Sequence, residues 1–416
     1  MHEHGSERRA SSPAAAWVLQ RRRLRAVTAA GLIDSLGLSI GWTFFNLYAV
    51  HTQGLAAVGT YNGALFTGVA LSAPVTGWLS SRLGGRRLLR TTASVEAALR
   101  VASFVLLIEG APVGIVALCV TAVGMTAWTG YAGMRAEIAA ADRRAGALAW
   151  YLGAIASIEG IGAAAAALLP LSLTALRSPG ALAAILALYA GVLIPTFVVA
   201  GGSEVERAID RVSLRSMTRH SRAIAGGFAV MLLASGPTFL AVGLAAKLHG
   251  RTAVAYSALA FLAGSLLAPR LATLLERRRV PAPLLWPALG ALVAGGWIAA
   301  PWSVGGLVVA QFVAGLALPA LEGTIDASVA GRESSGRITA GLAWAAAARA
   351  IGTAGAVSVA PVLFDAGGVT LVCICMAGSC AAAAVVGGVV AARRRAQRGK
   401  IERSPGTRVT GALLSK

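Results

Sequence analysis

The chain has 416 residues, 56% of them hydrophobic and only 13% charged, with a formal net charge of +20. Its mean hydropathy of +0.72 lies far from that of a soluble domain. The basic residues sit in short segments between apolar runs, which assigns the charge to lipid headgroups and topology and excludes nucleic acid as its partner.

The polar stretch Met1–Gln20 is too long ahead of the first apolar run for a cleaved signal peptide and reads as a disordered tail. Beyond it come twelve apolar stretches, each near the ~20 residues that cross a bilayer as helix. They run over 26–50, 56–80, 91–110, 113–134, 147–169, 180–200, 223–246, 253–275, 284–300, 304–328, 338–363 and 368–392. The longest internal polar segment, Gly201–Arg222, divides them six and six, and its alternating charge suits a surface helix or linker. The expected organisation is a tail over 1–25, a six-helix bundle over 26–200, a linker over 201–222, a second bundle over 223–392 and a basic tail over 393–416.

Arginine is distributed unequally between alternate connections. One side carries Arg21–Arg23, Arg82–Arg90, Arg135–Arg144, Arg207–Arg222, Arg270–Arg279, Arg332, Arg337 and the tail from Arg393; the other keeps only Arg177, Lys247 and Arg251. This positive-inside pattern predicts an even number of spans with both termini in the cytoplasm.

The halves echo each other. Val113-Gly114, Gly124, Arg143 and Leu148-Ala149-Trp150 are followed, 191 to 194 positions on, by Val304-Gly305, Gly315, Arg337 and Leu342-Ala343-Trp344. Six-span halves running in the same direction predict a parallel repeat about an axis along the membrane normal. Many of the 50 glycines fall inside spans, where small residues allow close helix approach. No phosphate-binding glycine loop stands in a strand-turn-helix context.

After the second span the chain reads Gly77-Trp78-Leu79-Ser80-Ser81-Arg82-Leu83-Gly84-Gly85-Arg86-Arg87-Leu88. This resembles motif A of the major facilitator superfamily, G-x-L-x-D-R-x-G-R-R/K-x-x-L, at the address between spans two and three where that family carries it. Gly77, Leu79, Arg82, Gly84, Arg86 and Arg87 match; Gly85 displaces the paired arginines by one place, and Ser81 stands at the aspartate position. Arg143 or Arg144 falls at the family's arginine between spans four and five. The resemblance implies an all-α polytopic membrane protein of twelve transmembrane helices in two six-helix bundles. It also implies alternating access, with spans one, four, seven and ten lining a central cavity and the motif-A loop steadying the outward-open state. Ser81 cannot supply the motif's charge, although its hydroxyl could cap the next helix.

Ionisable residues inside spans are costly and tend to face a cavity or one another. Asp34 in span one is a candidate to bind and release a proton, and the resemblance puts it near the pathway. Glu159 in span five and Arg349 in span eleven are candidates for substrate or proton binding, or for pairing with each other. Glu96 and Arg100, four apart on one helical face, read as a self-contained ion pair. Glu322 and Asp326, four apart near the cytoplasmic mouth, either attract cations or, in the favoured reading, meet Arg332 and Arg337 in the loop. Asn46, Tyr48, Trp128, Tyr131 and Gln311 are candidate cavity-lining residues. Two efflux-antiporter features are missing: Val120 occupies the expected arginine position of span four, and Glu159-Gly160-Ile161-Gly162 stands where a Gly-Pro motif is sought in span five.

Cys119, Cys373, Cys375 and Cys380 lie in apolar runs without metal-ligand spacing. No metal or cofactor is expected, and no catalytic constellation marks an enzyme. The reading is a bacterial-type secondary transporter of the cell membrane, acting as a monomer, whose partners are a small-molecule substrate, protons and the lipid bilayer. Proton-coupled efflux of a hydrophobic compound is the favoured version. Proton-coupled uptake or uniport is the alternative, and a transporter-like membrane receptor or membrane enzyme the different class.

Overall fold

The computed structural model describes residues 13–141, 145–169, 178–203, 221–330 and 338–403. Every regular element among them is helical: α1 (Pro13–Thr52), α2 (Gly54–Arg82), α3 (Gly85–Ile108), α4 (Val113–Ala141), α5 (Ala145–Leu168), α6 (Pro179–Tyr189), α7 (Ile194–Val199), α8 (Ser221–Ala234), α9 (Gly236–Phe239), α10 (Ala241–His249), α11 (Arg251–Arg277), α12 (Ala282–Gly296), α13 (Val304–Ala330) and α14 (Ile338–Arg403). The protein is thus all-α and polytopic.

Nine helices among the described residues are long and apolar enough to cross a membrane. The rest of the twelve-span reading falls on two shorter apolar helices, Gly153–Leu168 and Ser221–Ala234. It also needs a division of α14 at Gly368, whose φ of 74° interrupts the helix in a region that favours glycine. The sixth predicted span is α6 and α7 joined by a 3₁₀ turn, and the seventh is α8 to α10, broken around Ser235 and Leu240.

Two predicted tails are partly helix. α1 begins at Pro13, inside the stretch read as disordered, because proline suits the first helical position and the alanines and arginines that follow are strong helix formers. At the other end α14 continues through Arg393 to Arg403. Most of the predicted linker, Arg143, Arg144, Arg177, Arg332, Arg337 and the end of the basic tail lie outside the described residues.

Helix crossings repeat between the halves. A Cβ on Gly68 of α2 would come within 2.1 Å of the Thr121 carbonyl oxygen of α4, and one on Gly124 within 2.3 Å of the Leu65 carbonyl oxygen. In the second half, Gly264 of α11 and Gly315 of α13 stand the same way, 2.2 Å from the Phe312 oxygen and 2.1 Å from the Phe261 oxygen. Each glycine meets the carbonyl three residues before its partner glycine. Likewise Gly162 of α5 presses on Leu36 of α1, and Gly352 of α14 on Phe228 of α8. Since lipid offers no hydrophobic drive between helices, contact at backbone distance must supply the association, and only glycine permits it. Pro74 in α2 and Pro269 in α11 sit alike in their helices.

The two ends of the molecule differ. At the arginine-poor end one apolar core joins both halves, with Phe44, Phe45 and Val58 packed into the same cluster as Leu240, Leu244 and Val357. Gly59 abuts Val357 and Pro361, Gly63 abuts Ser358, and the Phe66 and Phe239 rings meet edge-on at 4.8 Å. Arg251 donates from α11 to the Ala166 carbonyl of α5 at 2.8 Å. At the arginine-rich end the apolar clusters are separate: Val27, Leu89 and Ile138 in the first half, Met231, Leu321 and Ile325 in the second. Among the described residues, the halves are thus sealed together at one end and divided at the other.

Candidate functional site

Helices α1, α3, α4, α5 and α6 converge on the charged residues of the first half. Arg100, fully buried on α3, donates through Nη2 to Asp34 Oδ1 on α1 at 2.8 Å, and through Nη1 to the Tyr189 carbonyl at 2.8 Å. The same Nη2 pairs with Glu96 one turn back on α3. The Tyr189 ring lies 5.4 Å from the guanidinium. Because both carboxylates depend on one nitrogen, the Glu96–Arg100 pair is not self-contained as its spacing suggested. The i, i+4 rule sees only the local partner, whereas α1 brings the second from 66 residues away.

Asp34 is the accessible member of this group, its side chain 26% exposed, while Glu96 is sealed. Gly31 holds α1 against Tyr151 of α5, where any larger residue would collide with the phenol oxygen. Tyr151 stacks on Tyr131 of α4, and Tyr131 meets Trp128 at 5.2 Å. Glu159 of α5 is exposed, and its backbone carbonyl accepts from the Ser39 hydroxyl of α1. The predicted residues Asp34, Glu159 and Tyr131 are therefore neighbours within one half.

Arg349 is in the other half. It is 8% exposed on α14 and forms a two-pronged pair with Asp326 of α13, at 2.7 and 3.4 Å. Its partner is Asp326 and not Glu159; Arg332 and Arg337, the loop partners expected for Asp326, lie outside the described residues. Planar guanidinium–carboxylate matching makes such pairs strong and directional. Asp326 remains 39% exposed, so the second half presents its carboxylate more openly than the first.

The uncharged candidates are dispersed. Asn46 is buried, accepting from Asn62 of α2 at 2.8 Å and donating to the Trp42 carbonyl. Tyr48 and Gln311 are also buried, and Nε2 of Gln311 has no hydrogen-bond partner among the described residues. Trp128 is 42% exposed.

The motif-A segment spans the turn from α2 to α3 at the arginine-rich end. Gly77, Leu79, Ser81 and Arg82 close α2, Gly84 is the N-cap of α3, and Arg86 and Arg87 lie in its first turn. Ser81 donates to the Trp78 carbonyl at 2.8 Å, and Gly84 caps α3 without a side-chain bond. Ser81 is thus not the cap of the next helix: the last turn of its own helix holds the hydroxyl. Arg82 lies over the Trp78 ring at 4.3 Å.

Glu137, 1% exposed at the end of α4, escaped the sequence reading. It pairs with Arg23 of α1 and accepts from Ser203 after α7, tying α1, the end of α4 and the segment after α7 together. An acidic residue amid the arginines closing span four was the available signal.

By sequence the chain matches no family model and no curated protein. By structure it is similar to the nucleoside transporter NupG, with a TM-score of 0.68 and 13% identity over 88% of this chain and 98% of that one. It is similar to a POT family transporter (0.67, 10% identity, 89% and 96%). A bacterial homologue of the iron transporter ferroportin, solved in its outward-facing state, gives 0.59 with 14% identity over 88% and 98%. These are transporters and none is an enzyme. At such low identity the likeness speaks for the fold alone: this chain has the major facilitator fold.

Proposed function

We propose that this chain is a secondary transporter that moves a small organic molecule across the cell membrane by alternating access. The observation that carries the reading is the pair of ends: two repeat-related halves sealed at one end and divided at the other, with Asp34, Glu159 and Asp326 left accessible. A rocking motion that exchanges which end is sealed would expose such a site to each side in turn. By the positive-inside rule the divided, arginine-rich end faces the cytoplasm with both termini, so the conformation is inward-open.

The similar structures are a nucleoside transporter, a POT family transporter in complex with a conjugated peptide and a homologue of an iron transporter, a range that assigns no substrate here. Proton-coupled efflux of a hydrophobic compound by a monomer is the finer form of the proposal. It rests on accessible carboxylates in an otherwise apolar interior. Uptake with protons, or uniport, uses the same geometry with the gradient reversed or absent.

Flux of candidate apolar solutes into and out of proteoliposomes, with and without a pH gradient, tests this reading. In Asp34→Asn the amide keeps the shape and removes titration, so gradient-driven flux is lost while substrate exchange persists. Unchanged pH-dependent flux in that variant removes Asp34 from coupling.

A further inference from the structure

Arg100 supplies one positive charge to two carboxylates, and both reach the same Nη2. With Asp34 and Glu96 both ionised the group carries one net negative charge in a desolvated place; a single added proton makes it neutral. Removing net charge from low-dielectric surroundings is favourable, so the group has room for one proton and no more.

Beside it lies a chamber of about 20 Å³, bordered by Asp34, Glu96, Thr92, Tyr151 and Thr196, which is space for about one water molecule. Thr196, 4% exposed on α7, turns to this chamber a hydroxyl that has no hydrogen-bond partner among the described residues. Buried polar atoms are nearly always paired, with protein or with ordered water, so the Thr196 hydroxyl marks a place for a bridging water.

We propose that Asp34, Glu96 and Arg100 form a single proton-binding unit, in which the two carboxylates share one proton through a water held in the chamber by Thr196. The proton arrives on a carboxylate oxygen of Asp34, the accessible member, which then releases Arg100. Glu96 stays ionised on the guanidinium, or receives a proton from the water as the water takes one from Asp34. No water is consumed. On unloading, the proton leaves through Asp34 to whichever side that residue faces, and Asp34 returns to Arg100. The unit alternates between one negative charge and none. Glu96 is a positioning residue here, since it leaves Arg100 one carboxylate too many.

The other ionisable groups facing the unit are Tyr131 and Arg135 of α4, Tyr151 and Glu159 of α5, and Tyr189 of α6. Glu159 interacts with Asp34, so every protein compared carries Glu159→Gln, which keeps this second carboxylate out of the difference.

This inference deepens the coupling site of the proposed transporter, but its test needs only protons and the purified full-length protein. The two can therefore fail separately. Proton uptake is measured in weakly buffered detergent solution between about pH 8 and about pH 5, a range bracketing perturbed carboxylates. Asp34→Asn and Glu96→Gln should each take up about one proton fewer than wild type. The double variant should also lose one and not two, because the wild-type unit takes up a single proton and one amide already leaves one carboxylate against the guanidinium. Glu96→Asp should keep the proton. Thr196→Val should keep the stoichiometry but weaken proton binding several-fold, moving the midpoint of uptake to lower pH. Where Glu96→Gln does not fold, Asp34→Asn decides, since Arg100 retains Glu96 in it. Wild-type uptake in either single variant, a two-proton loss in the double variant, or an unchanged midpoint in Thr196→Val overturns the shared unit.

Discussion

The two halves of this molecule are alike in backbone and unlike in charge. Gly68 and Gly124 cross in the first half as Gly264 and Gly315 do in the second, carbonyl against glycine in both. The buried arginines have no such correspondence. Arg100 stands on α3 with two carboxylates and a backbone carbonyl, whereas Arg349 stands on α14 with one close carboxylate. Helix crossings are dictated by packing in lipid, which gives each half the same problem and the same solution. Intramembrane charges are too costly to keep for packing alone, so their asymmetry marks where the halves do different work.

The largest expected effect breaks this asymmetry directly. Arg100→Leu leaves Asp34 and Glu96 facing one another without a cation, at a cost of about 3–5 kcal/mol of stability for a broken buried pair. Arg349→Leu exposes a carboxylate that water already reaches, at a cost nearer 1.5–3 kcal/mol, the range for one hydrogen bond to a charged group. Thermal melting of the two variants in detergent checks the order. Equal losses would mean that the charged groups are as interchangeable as the crossings.

The crossings themselves should respond symmetrically. Gly124→Leu and Gly315→Leu each force a side chain against a carbonyl little more than 2 Å from the new Cβ. Overpacking of this kind costs about 1–3 kcal/mol, and melting should fall by a similar amount in both. A loss confined to one half would show that the repeat is only geometric.

Much of this architecture was legible in the amino-acid sequence, because bilayer physics writes itself into composition. Span positions follow from apolar length, and the repeat from Gly124 and Gly315, whose mutual geometry with Gly68 and Gly264 the structure supplies. The site was less legible. Glu96 and Arg100 announced themselves through helical spacing, yet nothing local tells that α1 delivers Asp34 to the same nitrogen. Arg349 was visible as a buried arginine while its partner, Asp326, was assigned to loop arginines. Glu137 went unnoticed because its partners, Arg23 and Ser203, come from the beginning and end of the first half. Long-range pairing is set by tertiary packing, and sequence spacing carries no record of it.

The smallest effect concerns the end where the halves part. Ser81 spends its hydroxyl on the Trp78 carbonyl, so the motif-A turn contributes no carboxylate toward the second half. Ser81→Asp adds a charge-assisted contact of about 1.5–3 kcal/mol if it bridges the halves only when this end closes. The variant should shift the population toward outward-open and reduce labelling from the cytoplasmic side of a cysteine placed in α13. Unchanged labelling would make this turn a topological anchor with no part in gating.

Alternating access itself is tested most directly by two distances in one protein. With the four native cysteines replaced, spin labels are placed across the sealed end at Thr60 and Val362, and across the divided end at Arg87 and Arg278. Double electron–electron resonance in lipid nanodiscs is then recorded at high and low pH, and with candidate solutes. The account predicts two populations for each pair, moving in opposite senses: as the Arg87–Arg278 distance shortens, the Thr60–Val362 distance lengthens. Two distances that stay fixed under every condition, or that change in the same sense, would contradict it.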